Sequence, residues 1–583
     1  MRILFLTHSF NSLTQRLFVA LRARGHQVSI ELDIADSVSE EAVDMFRPDL
    51  IVAPFLKRAV PATIWQRHVC LIVHPGIVGD RGPSALDWAI LNGEKEWGVT
   101  VLQANAEMDA GDIWATANFP MRAAKKSSLY RNEVTHAAVA AVLEAIGKFE
   151  RGERPLPLRE ARDARGMLRP LAKQEVRRID WQSHDTATVL SRIHSGDGFP
   201  GVLDSLFATP CYLYHAHGAT TVALDAAPGN PGDIVARRDD AVLRRTRDGG
   251  VWVSYARRVA TEEDIDKPLK LPVAICFPEQ VAALPELPAP LERPDEEWGE
   301  IRYREEGKVG YLSFDFYNGA MSTRQCERLR DAVQYAKQRA TRVLVLLGGA
   351  DFFSNGIHLN CIEAAAHRPG ESAADESWQN INAMDDLALE IITATDHLTI
   401  SALRGNAGAG GAFLALAADH VWAHEGVLLN PHYKNMGNLY GSEYWTYLLP
   451  RRVGADHARA VMQNRLPVSA ASAAEIGLID AAFATNADDF LREVQSRAAA
   501  LAMSEDYEKH LAAKRDRRQK DEAAKPLQAY RDEELARMRR NFYGFDPSYH
   551  VARYHFVHKL PHAWTPRHLA THRDSPTVIP NGA

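Results

Sequence analysis

The sequence predicts a multidomain α/β protein in which a doubly wound parallel-sheet domain is followed by a small β-rich unit, a second large α/β domain and a helical C-terminal extension. Three observations lead there. Strand-like and helix-like apolar runs alternate from the first residues and begin again at Ile301; Pro-rich stretches at 151–169 and 285–294 break that alternation; beyond Met503 the chain turns charged with helical spacing. At 583 residues the chain also exceeds what one core holds, with roughly 150 residues per domain as a guide. The units are expected at 1–165, 166–285, 286–500 and 501–583.

Arg2–Thr7 reads as a buried strand, Leu13–Arg24 has helical apolar spacing, Gly25 fits the left-handed position after a helix, and Gln27–Leu32 is again apolar and β-branched. Runs at Asp49–Ala53 and Val69–His74 continue this βαβ start, and a parallel sheet presents ligand sites at the C-terminal ends of such strands. The stretch Arg151–Arg169 reads as an exposed linker. After it come Arg178-Ile179-Asp180-Trp181, a helix-like segment to Arg192, and β-like runs at Thr220–Leu224 and Gly250–Tyr255. In the second large domain a strand at Val309–Phe314 precedes an amphipathic helix opened by the capping-box pattern Ser322-x-x-Gln325, and a strand at Arg342–Leu347 follows. The Lys514–Lys520 run reads as a solvated helix face, and the end after Pro576 as frayed.

The composition, 46% hydrophobic, 25% charged and 8% aromatic, is that of a globular protein. A formal net charge of −7 gives no basic field of the kind nucleic acid or an anionic membrane requires, so any phosphate-bearing ligand must be held by local groups. The five cysteines (Cys70, Cys211, Cys276, Cys326, Cys361) form no CxxC pair and no metal-ligand spacing, so a reducing cytoplasm is expected and neither disulfides nor a metal centre. His555-x-x-His558 has helical spacing but no Cys or acidic partner beside it. The opening MRILFLTHSF is too short for a signal peptide or a membrane span.

His74 in LIVHPG and Asp109 in EMDAGDIW each end an apolar strand, where a doubly wound sheet exposes its crevice. Taken singly, each also fits a solvated or turn-capping role. The words around them occur in a fixed order: His74-Pro75-Gly76, Arg81-Gly82-Pro83, Trp88-Ala89-Ile90-Leu91-Asn92-Gly93, Gly98-Val99-Thr100 and Asp109-Ala110-Gly111-Asp112. This order is similar to the formyl-tetrahydrofolate formyltransferase family over about the first 150 residues. Ile179-Asp180-Trp181 and Phe199-Pro200-Gly201 resemble that family's OB-like C-terminal subdomain. The resemblance implies that His74 and Asp109 flank the formyl carbon, with Asp109 orienting His74, and that folate lies near Trp88 and Val99. Two departures stand out. Ile72 occupies the place of the family's Asn, and Gly76-Ile77-Val78-Gly79 replaces its Ser-Leu-Leu-Pro loop in a segment about one residue shorter, so the acceptor pocket differs from that of an amine.

Further on, Gly348-Gly349, Phe353-Ser354-Asn355-Gly356-Ile357 and Gly405-Asn406-Ala407-Gly408-Ala409-Gly410-Gly411-Ala412 follow apolar strands, as tight turns do and as loops that bring backbone N–H groups to a ligand oxygen do. Together with Arg451-Arg452-Val453-Gly454 and Gly477-Leu478-Ile479-Asp480 they resemble the crotonase (enoyl-CoA hydratase/isomerase) superfamily, an α/β spiral, over about 300–485. The resemblance implies an oxyanion hole from the amides of Ile357 and Gly410, each donor stabilising a thioester oxyanion by on the order of 3 kcal/mol. Phe413 and Tyr433 stand where the hydratase carboxylates are expected, which leaves Tyr433 and Glu443 as the loop's titratable pair, or as packing residues. The Lys514–Lys520 run is then a secondary candidate for CoA phosphates.

A formyltransferase without its amine-site Asn, joined to a crotonase without its hydratase acids, resembles the nickel-iron hydrogenase maturation factors that carry both folds. The resemblance implies a bifunctional formyltransferase and formyl-CoA decarbonylase: formyl transfer from 10-formyl-tetrahydrofolate to coenzyme A, then loss of CO. Hydrogenase maturation proteins are the expected partners besides the small molecules, with no nucleic acid and no membrane. An amine formyltransferase with an accessory acyl-CoA domain is the first alternative, and it calls for an Asn where Ile72 stands. A non-catalytic folate or CoA scaffold is the second, and it calls for degenerate positions where His74 and Asp109 stand.

Overall fold

A computed structural model describes residues 1–574; the expected frayed end after Pro576 lies outside the described residues. The chain forms two compact units, one of residues 1–179, 191–203 and the described residues from Pro561, the other of 180–190 and 204–560. The expected mixed α/β architecture is present in both.

The first unit is built on β1 (Arg2–Thr7), β2 (Gln27–Leu32), β3 (Leu50–Ala53), β4 (Cys70–His74), β5 (Glu96–Gln103) and β6 (Ile113–Pro120), ordered β2-β1-β3-β4-β5-β6. The first four strands are parallel, whereas β5 and β6 return antiparallel and extend the sheet beyond the expected parallel part. The helix Ser12–Ala23 buries Leu13, Leu17 and Leu21, and Gly25 after it takes φ +82°.

Arg151–Arg169 is not a free linker. Leu156 bridges Ile113 antiparallel, Gly166 N donates to Val78 O at 2.9 Å, and Leu168 bridges Arg81 in parallel, so the segment is laid along the loop that follows β4. Arg151, Arg154, Arg159, Arg162 and Arg165 are exposed while the backbone is paired, which is why composition alone reads the segment as a spacer. The segment from Pro561 covers the β2 edge: Ile30 N donates to Leu569 O at 3.0 Å, and the buried Glu31 accepts from Thr565, His572 and Arg573.

In the second unit a β-rich part contains β8 (Thr209–Gly218), β9 (Ile234–Arg238), β10 (Ala241–Arg245) and β11 (Gly250–Arg258), paired antiparallel in the order β8-β11-β10-β9, with β7 (Val202–Leu206) beside β8 and β12 (Leu271–Pro272) on β11. Thr220–Leu224, expected as a strand, is instead the start of a helix over Thr221–Ala226. Thr220 Oγ1 accepts from Ala223 N, and this cap together with the alanines outweighs the β-branched pair Thr221-Val222.

The larger part of this unit has a sheet ordered β13-β14-β15-β17-β19-β22, made of Ile301–Glu306, Val309–Phe314, Val343–Leu347, Leu398–Leu403, His420–Ala423 and Ala481–Ala482. A second sheet, β16-β18-β20-β21, comprises Phe352–Ser354, Asn406–Gly408, Leu428–Asn430 and Val468–Ser469. The helix Thr323–Lys337 opens with the expected capping box of Ser322 and Gln325. Leu344, Leu346, Leu403 and Phe413 pack with Met384 and Leu387 from the helix Ala373–Ile392 in one continuous core.

Helices Tyr507–Ala524, Leu527–Tyr543 and Ser548–His558 form the charged extension. Lys514 is not on a solvated face: its side chain is 6% exposed. Its ammonium donates to Ala394 O and His397 O at 2.7 Å each and to Asp419 Oδ2 at 2.6 Å. Among the described residues no helix is long and apolar enough to cross a membrane.

Candidate functional site

His74 ends β4, the last parallel strand before the antiparallel pair, and its backbone pairs with Thr100 on β5. The chain then turns so tightly that a Cβ at Gly76 would stand 2.4 Å from His74 Nε2 and 2.7 Å from Asp80 Oδ2, so only glycine lets the loop pass. Trp97 Nε1 and Thr100 Oγ1 hold this loop by donating to Pro75 O (2.9 Å) and Gly76 O (2.8 Å).

The structure brings His74 and Asp109 together, with His74 Nδ1 3.6 Å from Asp109 Oδ2. Asp109 takes φ +53° and accepts from Gly82 N at 3.1 Å, so it anchors the loop as well as facing the imidazole. A second carboxylate lies on the other side of the ring: His74 Nε2 and Asp80 Oδ2 are 3.0 Å apart, and both side chains are buried. An ionised carboxylate only accepts, so this hydrogen bond places a ring proton on Nε2. Arg169, at the end of the supposed linker, approaches Asp80 Oδ1 to 3.5 Å. Sequence reading passed over Asp80 because GIVGDRG looks like a turn; its one signal was an acid six positions after the histidine in a remodelled loop.

Ile72, in the place of the family Asn, packs against Val78, Leu102 and Ile113 together with Leu158 and Ala161 of the overlying segment. Trp88 is half-buried and donates from Nε1 to Pro170 O at 2.8 Å. Val99 is fully buried within β5, so the structure sets it in the core and Trp88 toward the surface.

The second constellation is gathered around the helix Gly410–Leu416. A Cβ at Gly356 would lie 3.2 Å from Gly410 N, so the Ile357 loop and the start of this helix abut. The first amide of a helix has no partner within it, and Ala409 before it takes φ +47°. Tyr433 and Glu443 do meet: the Tyr433 hydroxyl donates to Glu443 Oε2, and also lies 3.2 Å from Ser442 O. Phe413 stacks on the Tyr433 ring, with centroids 5.4 Å apart. The Glu443 carboxyl covers the helix start, since a Cβ at Gly410 would be 2.5 Å from its Oε1.

Two further acids, absent from the sequence reading, hold that loop. Asp385 Oδ1 accepts from Glu443 N at 2.7 Å, and Glu534 accepts from Tyr444 N at 2.9 Å and Thr446 N at 2.8 Å. They pin two successive residues in the left-handed region, Glu443 at φ +62° and Tyr444 at +58°. Burial raises the Glu443 carboxyl to about 7. Burial and the neighbouring Glu443 charge raise Asp385, burial raises Glu534, and burial with the Glu443 charge lifts the Tyr433 phenol well above its ordinary value.

These two constellations define a formyl transferase fold joined to an enoyl-CoA hydratase/isomerase fold, and the corresponding family models match residues 31–146 and 309–567. A hydrogenase maturation factor HoxX from Bradyrhizobium diazoefficiens is 55% identical over 98% of this chain and 97% of its own. The crystal structure of HypX from Aquifex aeolicus in complex with tetrahydrofolic acid is 48% identical, covers 98% of this chain and 99% of its own, and superposes with a TM-score of 0.92. The chain belongs to the HoxX/HypX family of hydrogenase maturation factors. A methionyl-tRNA formyltransferase from Syntrophus aciditrophicus is 25% identical over 37% of this chain and 69% of its own.

Proposed function

We propose that the protein makes carbon monoxide for nickel-iron hydrogenase maturation, as a formyltransferase and a formyl-CoA decarbonylase in one chain. In the first step the CoA thiol attacks the formyl carbon of 10-formyl-tetrahydrofolate, and the C–N bond breaks to leave tetrahydrofolate and formyl-CoA. Asp80 holds the Nε2 proton of His74, while Nδ1, on the side of Asp109, takes up the thiol proton, offers it to the oxyanion and passes it to the departing folate nitrogen. The apolar packing of Ile72 supports an acceptor other than the usual amine. Tetrahydrofolic acid in the relative's structure supports folate as donor, with half-buried Trp88 as a pocket residue and Val99 behind it.

In the second step formyl-CoA loses CO: the formyl hydrogen leaves as a proton, the C–S bonding pair goes to sulfur, and the thiolate is protonated. The observation that carries this reading is the buried Tyr433–Glu443 hydrogen bond at the start of the Gly410 helix. Glu443, with a carboxyl raised toward neutrality, is the base for the formyl proton. Tyr433 donates to the thiolate and regains its proton from Glu443 along their hydrogen bond. The Ile357 and Gly410 amides hold the carbonyl oxygen. Lys514 is not left for the CoA phosphates, since Asp419 and two carbonyls already engage its ammonium. Five free thiols fit a reducing cytoplasm, and hydrogenase maturation proteins are the natural receivers of the gas.

Incubation of purified protein with 10-formyl-tetrahydrofolate and CoA, with CO trapped on reduced myoglobin, tests the reading. CO should form with both substrates and vanish when CoA is left out. Tetrahydrofolate release without CO would overturn the second step.

A further inference from the structure

We propose that Asp266, His367 and His558 form a binding site for one divalent transition-metal ion of the zinc or nickel type, apart from both reaction centres. The three come from separate segments of the second unit: the loop between β11 and β12, the turn after the helix Leu359–Ala365, and the last residue of the helix Ser548–His558. One ligand atom from each lies within 4.8 Å of the other two, close enough for a single ion to draw them together. His555, the partner that helical spacing suggests for His558, is exposed and no member of the group.

The independent sign of a ligand is His558 itself. Its side chain is only 5% exposed, yet its Nε2 is buried with no hydrogen-bond partner. An imidazole nitrogen closed off from water and left unmatched costs stability unless a donor, a proton acceptor or a metal meets it. The nearest charge is Glu363 Oε1 at 3.6 Å, beyond hydrogen-bond reach. Glu363 is already engaged through Oε2 by Arg553 Nε at 2.7 Å, so it does not supply the partner that His558 Nε2 lacks.

The other two ligands are poised rather than spent. Asp266 Oδ1 accepts from the Tyr554 hydroxyl at 2.5 Å, which fixes the carboxylate against the last helix while leaving lone pairs for a cation. The exposed His367 ring makes no hydrogen bond among the described residues, so rotating toward an ion breaks nothing. With Glu363 balanced by Arg553, neutral imidazoles leave the group one negative charge, which favours a cation over an anion.

Two imidazoles and one carboxylate select within the cations. Calcium and magnesium take mainly oxygen ligands, and soft cuprous copper seeks sulfur, whereas zinc and nickel accept this mixed set. Three protein ligands leave a position for water. Bound there, the ion would clip the end of the helical extension to the loop after β11 and to the turn after Ala365, three segments far apart in sequence.

The test is Zn2+ binding to full-length protein stripped with a chelator, followed by calorimetry and by equilibrium dialysis with elemental analysis. One zinc per chain is expected, with a rise in melting temperature. His367→Ala and Asp266→Asn should each weaken binding at least tenfold, and His555→Ala should not. His367 is exposed and Asp266 lies in a surface loop, so neither variant is expected to unfold the chain. No zinc uptake by the parent, or affinity equal to the parent's in His367→Ala and Asp266→Asn, overturns the site.

Discussion

The backbone amide of Glu443 donates to Asp385 Oδ1 at 2.7 Å, so one buried carboxyl sets the position of another whose own oxygen receives the Tyr433 hydroxyl. In the proposed reaction Asp385 therefore acts through Glu443, as a positioning residue. Asp385→Ala removes the acceptor and should slow CO release from supplied formyl-CoA about tenfold or more, since a misplaced general base loses most of its ~10²–10⁴-fold contribution. Asp385→Asn keeps an oxygen at that place and should restore most of the rate. Equal defects in the two variants would mean that charge, not the amide contact, is what matters.

The pH dependence has a definite sign. A base works when deprotonated, and burial raises Glu443 to about 7, so CO release from formyl-CoA should rise about tenfold per pH unit below 7 and level off above it. Tyr433 stays protonated throughout because its phenol is raised further from its ordinary value. The same shift costs stability. With a folded value above the ordinary glutamate value of 4.5, the contribution is fully present below 4.5 and is lost as pH rises through about 7. Glu443→Gln should therefore melt progressively higher than the parent over that window and hold its advantage above it. A rate that falls with pH through 7 would make Glu443 an acid.

At the N-terminal centre, His74→Ala or Asp109→Asn should reduce tetrahydrofolate release by roughly 10²-fold or more and leave CO release from supplied formyl-CoA unchanged. Asp80→Asn should fall in the same class, because Asp80 makes the closer contact with the ring, 3.0 Å against 3.6 Å. Single-turnover assays of each half-reaction separate these cases from a general loss of folding.

Lys514→Ala should destabilise the second unit without touching either chemical step. It would leave Asp419 Oδ2 and the Ala394 and His397 carbonyls without their shared donor, and breaking a buried pair by removing one partner costs about 3–5 kcal/mol. Urea unfolding followed by tryptophan fluorescence measures it.

Much of this was legible from local pattern. Gln27–Leu32 and Val309–Phe314 read correctly as strands because apolar β-branched runs have few alternatives, and the Ser322/Gln325 box named its helix start. Tyr433 and Glu443, picked out because Phe413 and Tyr433 stand where hydratase acids are expected, do meet in the fold. What escaped was long-range. Asp385 and Glu534 stand 58 and 91 positions from the Glu443 whose loop they fix, and no periodicity links them. Thr220–Leu224 misled because a cap decides short segments, and Arg151–Arg169 because exposed side chains hide a paired backbone.

The central claim, that one chain both forms and decarbonylates formyl-CoA, is tested most directly by following the formyl carbon. Protein supplied with CoA and 10-formyl-tetrahydrofolate labelled with 13C in the formyl group should release 13CO in step with tetrahydrofolate. Tyr433→Phe or Glu443→Gln should instead give labelled formyl-CoA or formate at an undiminished rate of tetrahydrofolate release. Labelled formate as the sole product of the parent protein, or undiminished 13CO from both variants, would contradict the account.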